Sequence, residues 1–356
     1  MTLLPWPLGR SLRPAPERAG SGRAPVQFNV VVTGASAGVG RATAHRFAHA
    51  GARIGLIARD EAALADVQRE VEQRGGAAVA APADVSSAEA VFAAADRLER
   101  EIGPIDVWIN DAMVTVFSPF SDMTAEEFRR VTEVTYLGFA YGTMAALRLM
   151  RPRNRGTIVQ VGSSLAYRGI PLQSAYCGAK HAIRGFTNSL RCELIHDRSN
   201  VHVTLVNLPA VNTPQFDWAR THMRRQPRPV PPVIEPEVAA SAIFRAAHER
   251  KREYWLGLST AEAILGNMFG ATWLDRYLAR TAYAAQTTGE PLPAGWRDNL
   301  YHSVPERHRT RGSFGSEAAK RAPMLPAPAT RVAAVATGVV AAGVLVVLGQ
   351  RLLREL

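Results

Sequence analysis

Between Val31 and Val206, short apolar runs alternate with segments whose apolar residues recur at helical spacing. Residues 30–32, 53–57, 105–109 and 157–161 read as buried strands, rich in Val and Ile. Residues 60–74, 86–101, 124–150 and 174–195 are the clearest helices, with Asp60 as the N-cap of the first. Strand and helix in alternation predict an α/β fold, a doubly wound parallel sheet that binds ligands outside the carboxyl ends of its strands. Residues 213–236 mix Phe216, Trp218 and Met223 with arginines and then prolines, which predicts a loop. Residues 237–250 predict a helix and 253–257 the last strand. A further helical segment over 261–285, carrying Leu265, Met268, Phe269, Trp273, Leu274, Tyr277 and Leu278, is expected to pack, to make a dimer contact or to wall a pocket.

The two ends of the chain break this pattern. Residues 1–25 are rich in Pro, Arg, Gly and Ser and predict a disordered arm. Pro5, Pro7, Arg10 and Arg13 interrupt any apolar run that a secretory signal would need. Residues 332–348 carry no charge, and as a helix would span about 25 Å, the short end of what crosses a bilayer. Arg307, Arg309, Arg311, Lys320, Arg321 and Arg331 lie in a proline-bearing segment before it, 301–331, which reads as a basic linker. The expectation is a C-terminal transmembrane helix on a membrane-associated protein whose main domain faces the cytoplasm. The alternative is a buried or interfacial helix.

Bulk composition narrows the field. With 356 residues, 47% of them hydrophobic, the chain can bury a full core and still carry tails. A formal net charge of +11 suits an anionic surface or a phosphate-bearing ligand. The basic residues are spread through tails and loops and no nucleic-acid motif appears, so a nucleic-acid partner is not expected. Cys177 and Cys192 form no disulfide framework, and the nine histidines show no metal-ligand spacing.

Two constellations carry chemistry. The strand at 30–32 runs into Thr33-Gly34-Ala35-Ser36-Ala37-Gly38-Val39-Gly40 and then a helix from Arg41 to Ala50. Strand, glycine-rich turn and helix in that order let backbone N–H groups and the helix N-terminus approach a pyrophosphate. Tyr176 and Lys180, four apart in a helical run, share one helix face. A nearby ammonium favours the phenolate; lowering a phenol by ~3 units takes roughly 4 kcal/mol of differential stabilisation. Lysine is scarce here, three residues among 42 Lys and Arg, and one of them stands at this position. Taken alone, the pair also fits a surface lysine one turn from a half-buried tyrosine.

TGxxxGxG near the N-terminus followed by YxxxK resembles the short-chain dehydrogenase/reductase family over residues 26–257. The resemblance implies a Rossmann-type single catalytic domain there, extended by a helical segment over 258–300. It implies a cofactor site built from Thr33, Gly34, Ser36, Gly38, Val39 and Gly40. Asp84 and Val85 take the place of the adenine contact. Asn110-Asp111-Ala112-Met113 stands where the family has Asn-Asn-Ala-Gly, and Pro209, Val211 and Thr213 lie in the segment that flanks the nicotinamide. Tyr176 is then the general acid/base, and Lys180 lowers its pKa and binds the nicotinamide ribose. The serine that holds the substrate oxygen is Ser163 by its spacing from Tyr176, with Ser164 as the alternative. The family's loop at 213–236 is a lid over the substrate.

Departures are equally informative. Thr135 stands where the family often has an asparagine that helps hold a water near the lysine; Asp111, Met113 and Ala210 replace an asparagine and two glycines. At the end of the second strand, Ala58 replaces the carboxylate that would bind a ribose 2′-hydroxyl, and Arg59 follows. This favours NADP(H) over NAD(H), with Arg41 as a further candidate; the alternative is that both arginines are solvated. The sequence thus predicts an NADP(H)-dependent oxidoreductase acting on a carbonyl or alcohol of a lipophilic molecule, compatible with a homo-oligomer and with no metal. The competing reading is a nucleotide-binding or assembly protein that kept the fold and lost the reaction.

Overall fold

The structure, a computed structural model, describes residues 28–332 and 334. An eight-stranded sheet forms its centre. Its strands are β1 (Asn29–Thr33), β2 (Arg53–Ala58), β3 (Ala77–Pro82), β4 (Val107–Asn110), β5 (Gly156–Ser163), β6 (Val201–Leu208), β7 (Glu253–Leu256) and β8 (Met324–Pro326). They lie in the order β8-β7-β6-β5-β4-β1-β2-β3. All neighbours pair in parallel except β8, which joins β7 antiparallel through Trp255 opposite Leu325. The helices are α1 (Gly38–Ala48), α2 (Glu61–Gln73), α3 (Ala88–Ile102), α4 (Ala125–Thr132), α5 (Gly138–Met150), α6 (Ser174–His196), α7 (Pro236–Glu249) and α8 (Leu258–Ala285).

Side chains leave a strand on alternate faces. Val30 and Val32 enter the core beneath α1, α2 and α7, whereas Val31 enters the one beneath α3, α5 and α6. The sheet is therefore covered on both sides, which is why its strands read as continuous apolar runs. From β1 the chain winds outward to β2 and β3, then returns across to β4 on the other side of β1. That reversal opens a crevice at the carboxyl ends of β1 and β4.

Local chemistry sets the ends of several elements. Asp60 caps α2 by accepting from Ala63 N at 2.9 Å, and Ser87 caps α3. The helix expected over 124–150 is broken by a π-helical turn, Glu133–Leu137. Inside that turn the Thr135 hydroxyl donates to Val114 O at 2.8 Å and accepts from Val114 N at 3.0 Å. Gly34 has φ +71, and an added Cβ would stand 2.8 Å from Ala112 Cα, so β1 and β4 approach closely only because this residue has no side chain.

The C-terminal part departs most from expectation. Residues 301–331 do not lead away from the domain as a linker. They fold across it and supply β8, while Ala318–Ala319 pairs with Val233–Ile234. Basic residues meant for a membrane surface are spent on the domain's carboxylates: Arg309 on Asp217 at 2.6 Å and Arg311 on Glu237 at 3.0 Å. Among the described residues no helix is long and apolar enough to cross a membrane. The expected membrane-associated location with a cytoplasm-facing domain is corrected accordingly. The run 332–348 lies outside the described residues except Val332 and Ala334, and so does the arm expected over 1–25.

Gly34→Ala should lower the unfolding free energy by about 2–3 kcal/mol, since it combines left-handed strain with backbone overlap. Urea denaturation monitored by tryptophan fluorescence reads this directly; an unchanged midpoint would show that the turn can yield.

Candidate active site

A cavity of about 740 Å³ occupies the crevice at the carboxyl ends of the strands. One wall is the glycine-rich turn with Gly34, Ser36, Gly38 and Val39 at the N-terminus of α1. Arg59, Asp84 and Val85 line it beyond β2 and β3, and Ser163, Ser164, Pro209, Val211 and Thr213 beyond β5 and β6. Tyr176 and Lys180 reach it from α6.

Three residues expected in the cofactor site do not line the cavity. Thr33 is buried and its hydroxyl accepts from the backbone of Asp111 at 3.0 Å, tying β1 to the end of β4. Gly40 lies behind the turn, where a Cβ would overlap the Gly34 carbonyl. Asn110 is fully buried, accepting from Trp108 Nε1 at 2.8 Å and donating to Gln160 at 3.0 Å and Thr143 at 3.1 Å. All three shape the crevice from behind.

Both candidate serines line the cavity, but only Ser163 acts on the Tyr176 hydroxyl, and its own oxygen accepts from Leu165 N at 3.1 Å. Ser164 instead opens a short 3-10 turn, Ser164–Ala166.

The electrostatics differ from the sequence expectation. Burial holds the Tyr176 phenol above its ordinary value, and Ser163 only partly opposes this. Lys180 does not lower it. Its side chain is buried, 3% exposed, and its ammonium donates to Val161 O at 2.9 Å, 5.5 Å from the centre of the Tyr176 ring and 4.6 Å from that of Phe139. Burial pushes Lys180 down to about 8, with Asp111 opposing. Asp111 is in turn pushed up to about 7 by burial, against the pull of Lys180 and the Gly40 N–H. Thr135, spent on Val114, does not point a hydroxyl toward the lysine.

The end of the cavity beyond β2 and β3 also holds a surprise. Arg59 donates to the carbonyls of Asn299 at 2.7 Å and Tyr301 at 2.8 Å, and Arg130 to that of Leu300 at 3.1 Å. Gly38 N donates to Arg309 O at 3.0 Å. The segment from Asn299 to Arg309 therefore straps over this end, with Asn299, Ser303, Val304 and His308 in the cavity wall. Arg41 pairs with Glu70 at 2.6 Å and is not free for a ligand. Periodicity gave no hint of the strap, because it is irregular backbone held by side chains remote in sequence.

A glycine-turn cradle and a Ser-Tyr-Lys cluster in one crevice define the class, a dinucleotide-dependent oxidoreductase. Comparison with known proteins agrees. The short chain dehydrogenase family matches residues 29–224. The uncharacterized oxidoreductase YxnA of Bacillus subtilis is 34% identical over 275 residues, covering 76% of this chain and 77% of that one. The 3-dehydrosphinganine reductase of Danio rerio is 32% identical over 203 residues, 54% of this chain and 60% of its own. Among solved structures, an alcohol dehydrogenase from Thermococcus sibiricus complexed with 5-hydroxy-NADP superposes with a TM-score of 0.57 at 25% identity, covering 65% of this chain and 96% of that one. The chain belongs to the short-chain dehydrogenase family and is an oxidoreductase.

Below pH 8 the folded protein carries a desolvated ammonium that the unfolded chain would solvate. Between about 8 and the ordinary value of 10.5 the folded state loses that proton first, so this cost fades as pH rises. Lys180→Met should therefore be most favourable, relative to wild type, below pH 8. Its advantage in unfolding free energy should shrink steadily toward pH 10; a pH-independent difference would contradict the burial of the charge.

Proposed function

We propose that the protein is an NADP(H)-dependent oxidoreductase that interconverts a carbonyl and an alcohol on a lipophilic small molecule. The observation that carries this reading is the Ser163–Tyr176 pair, with Lys180 beside it, on the floor of a largely apolar cavity. The residues fit a dinucleotide: a turn carrying Gly34 and Gly38 faces the cavity at a helix N-terminus, where a pyrophosphate is favoured. Ala58 leaves no carboxylate at the tip of β2, and the hydrogen bonds of Arg59 go to carbonyls, so its charge remains available to a 2′-phosphate.

When bound, the nicotinamide supplies or accepts the hydride. Tyr176, kept protonated by burial, gives its phenol proton to the oxygen of a carbonyl. Ser163 donates a hydrogen bond to the same oxygen and stabilises the charge that develops there. Lys180, which reaches the same cavity, would hold the ribose hydroxyls of the bound dinucleotide. Met113, Phe117, Leu165, Ile170, Phe216 and Leu274 line the substrate side, which supports an apolar substrate. The resemblance to a reductase named for 3-dehydrosphinganine, a lipid, supports the same class.

Tyr176→Phe should lower kcat/KM for NADPH-driven reduction by about 10²–10⁴-fold while NADPH affinity stays within about twofold. Across a panel of aldehydes and ketones, kcat/KM should rise with alkyl chain length. Turnover surviving in the phenylalanine variant would overturn the mechanism, and a preference for short polar carbonyls would overturn the substrate class.

A further inference from the structure

We propose that His308, on the strap from Asn299 to Arg309, is a specificity residue that binds the 2′-phosphate on the adenosine ribose of NADP(H). This deepens the NADP(H) reading given above and rests on it. His308 lies outside residues 29–224, the segment that matches the family, so the family's motifs do not reach it.

In a doubly wound sheet the tip of the second strand reads the 2′ position of the adenosine ribose. Here β2 ends at Ala58, whose side chain offers neither charge nor hydrogen bond. Arg59 follows, but both its terminal nitrogens already donate to strap carbonyls, Nη2 to Asn299 at 2.7 Å and Nη1 to Tyr301 at 2.8 Å. Its charge is present at this end while those donors are spent. The strap that spends them brings His308 into the wall of the same cavity, with Arg59, Asp60 and Ser303.

The backbone fixes where the imidazole stands. The His308 carbonyl accepts from Arg41 Nη1 at 3.0 Å, and the Arg309 carbonyl from Gly38 N at 3.0 Å. The ring packs edge-on against Trp218, with centres 5.2 Å apart. Its side chain is 8% exposed, and Nε2 lies 3.4 Å from Oδ2 of Asp60, two residues past the end of β2. Among the described residues, neither ring nitrogen completes a hydrogen bond. Buried polar atoms left unpaired are costly, and two of them on one ring in a cavity wall suit a partner that enters the cavity.

The surrounding charges select the sign of that partner. Burial holds the imidazole below its ordinary value, opposed by Asp60 and the Ser36 backbone and reinforced by Arg41 and Arg59. Arg41 is paired with Glu70, and Asp60 already accepts from Ala63 N at the cap of α2. A phosphate arriving here gains the Arg59 charge and an imidazole N–H, and its own charge favours the imidazolium. A ribose hydroxyl brings no such charge and gains far less.

Isothermal titration calorimetry of the full-length protein tests this with 2′,5′-ADP and 5′-AMP, which differ only in the 2′-phosphate. The wild type should bind 2′,5′-ADP more tightly. His308→Phe keeps a ring against Trp218 and removes both nitrogens. It should weaken 2′,5′-ADP by roughly tenfold or more and 5′-AMP by less than about twofold. Retained 5′-AMP binding shows that the pocket is folded; if the phenylalanine variant loses it, His308→Leu gives the same comparison. Equal weakening of both ligands in both variants would mean that His308 only holds the strap in place, and overturns the inference. Variants that keep the wild-type preference for 2′,5′-ADP also overturn it, while the NADP(H) reading then stands on Arg59. A wild type that binds the two ligands alike sinks the NADP(H) reading itself, and this inference with it.

Discussion

The divergence of β1 and β4 is the constraint from which the site follows. The chain leaves their carboxyl ends toward opposite faces of the sheet, so no connection fills the space between them. The crevice survives as a cavity only if the backbone around it can come close without side chains. Gly34 against Ala112 and Gly40 against Gly34 meet that requirement, and Thr33 bridges the two strands through the backbone of Asp111. Residues behind the crevice, Asn110 above all, spend their polar groups on one another, which fixes the wall without competing for a ligand.

Burial then governs the chemistry. The same exclusion of water that raises the Tyr176 phenol lowers the Lys180 ammonium and raises the Asp111 carboxyl. A simple picture of a lysine acidifying its neighbouring tyrosine does not describe this pocket without a bound dinucleotide. Here the phenol holds its proton, which suits it to donate one to a carbonyl oxygen. The lysine beside it is buried and donates its ammonium to the Val161 carbonyl. Thr135, locked to Val114, takes no part in that balance.

The basic C-terminal region acquires a different meaning once folded. In the sequence its arginines suggest an anionic surface, yet Arg309 and Arg311 meet carboxylates of the domain itself. Between Asn299 and Arg309, backbone carbonyls satisfy Arg59 and Arg130 and an N–H of the glycine turn, closing the end of the cavity beyond β2 and β3. The cavity is therefore finished by residues beyond the matched family segment.

The sequence by itself determined the sheet, the glycine turn and the Tyr176–Lys180 pair, because these rest on short-range rules. Strand and helix periods, a cap at Asp60 and four-residue spacing on a helix all act within a few residues of chain. Spacing from Tyr176 already favoured Ser163 over Ser164; in the fold, Ser163 acts on the tyrosine while Ser164 opens a 3-10 turn. Tertiary structure alone decided that Asn110 faces inward and that Arg59 is capped by carbonyls some 240 residues away. These depend on long-range approach and on exclusion of water, and neither quantity is written in local composition.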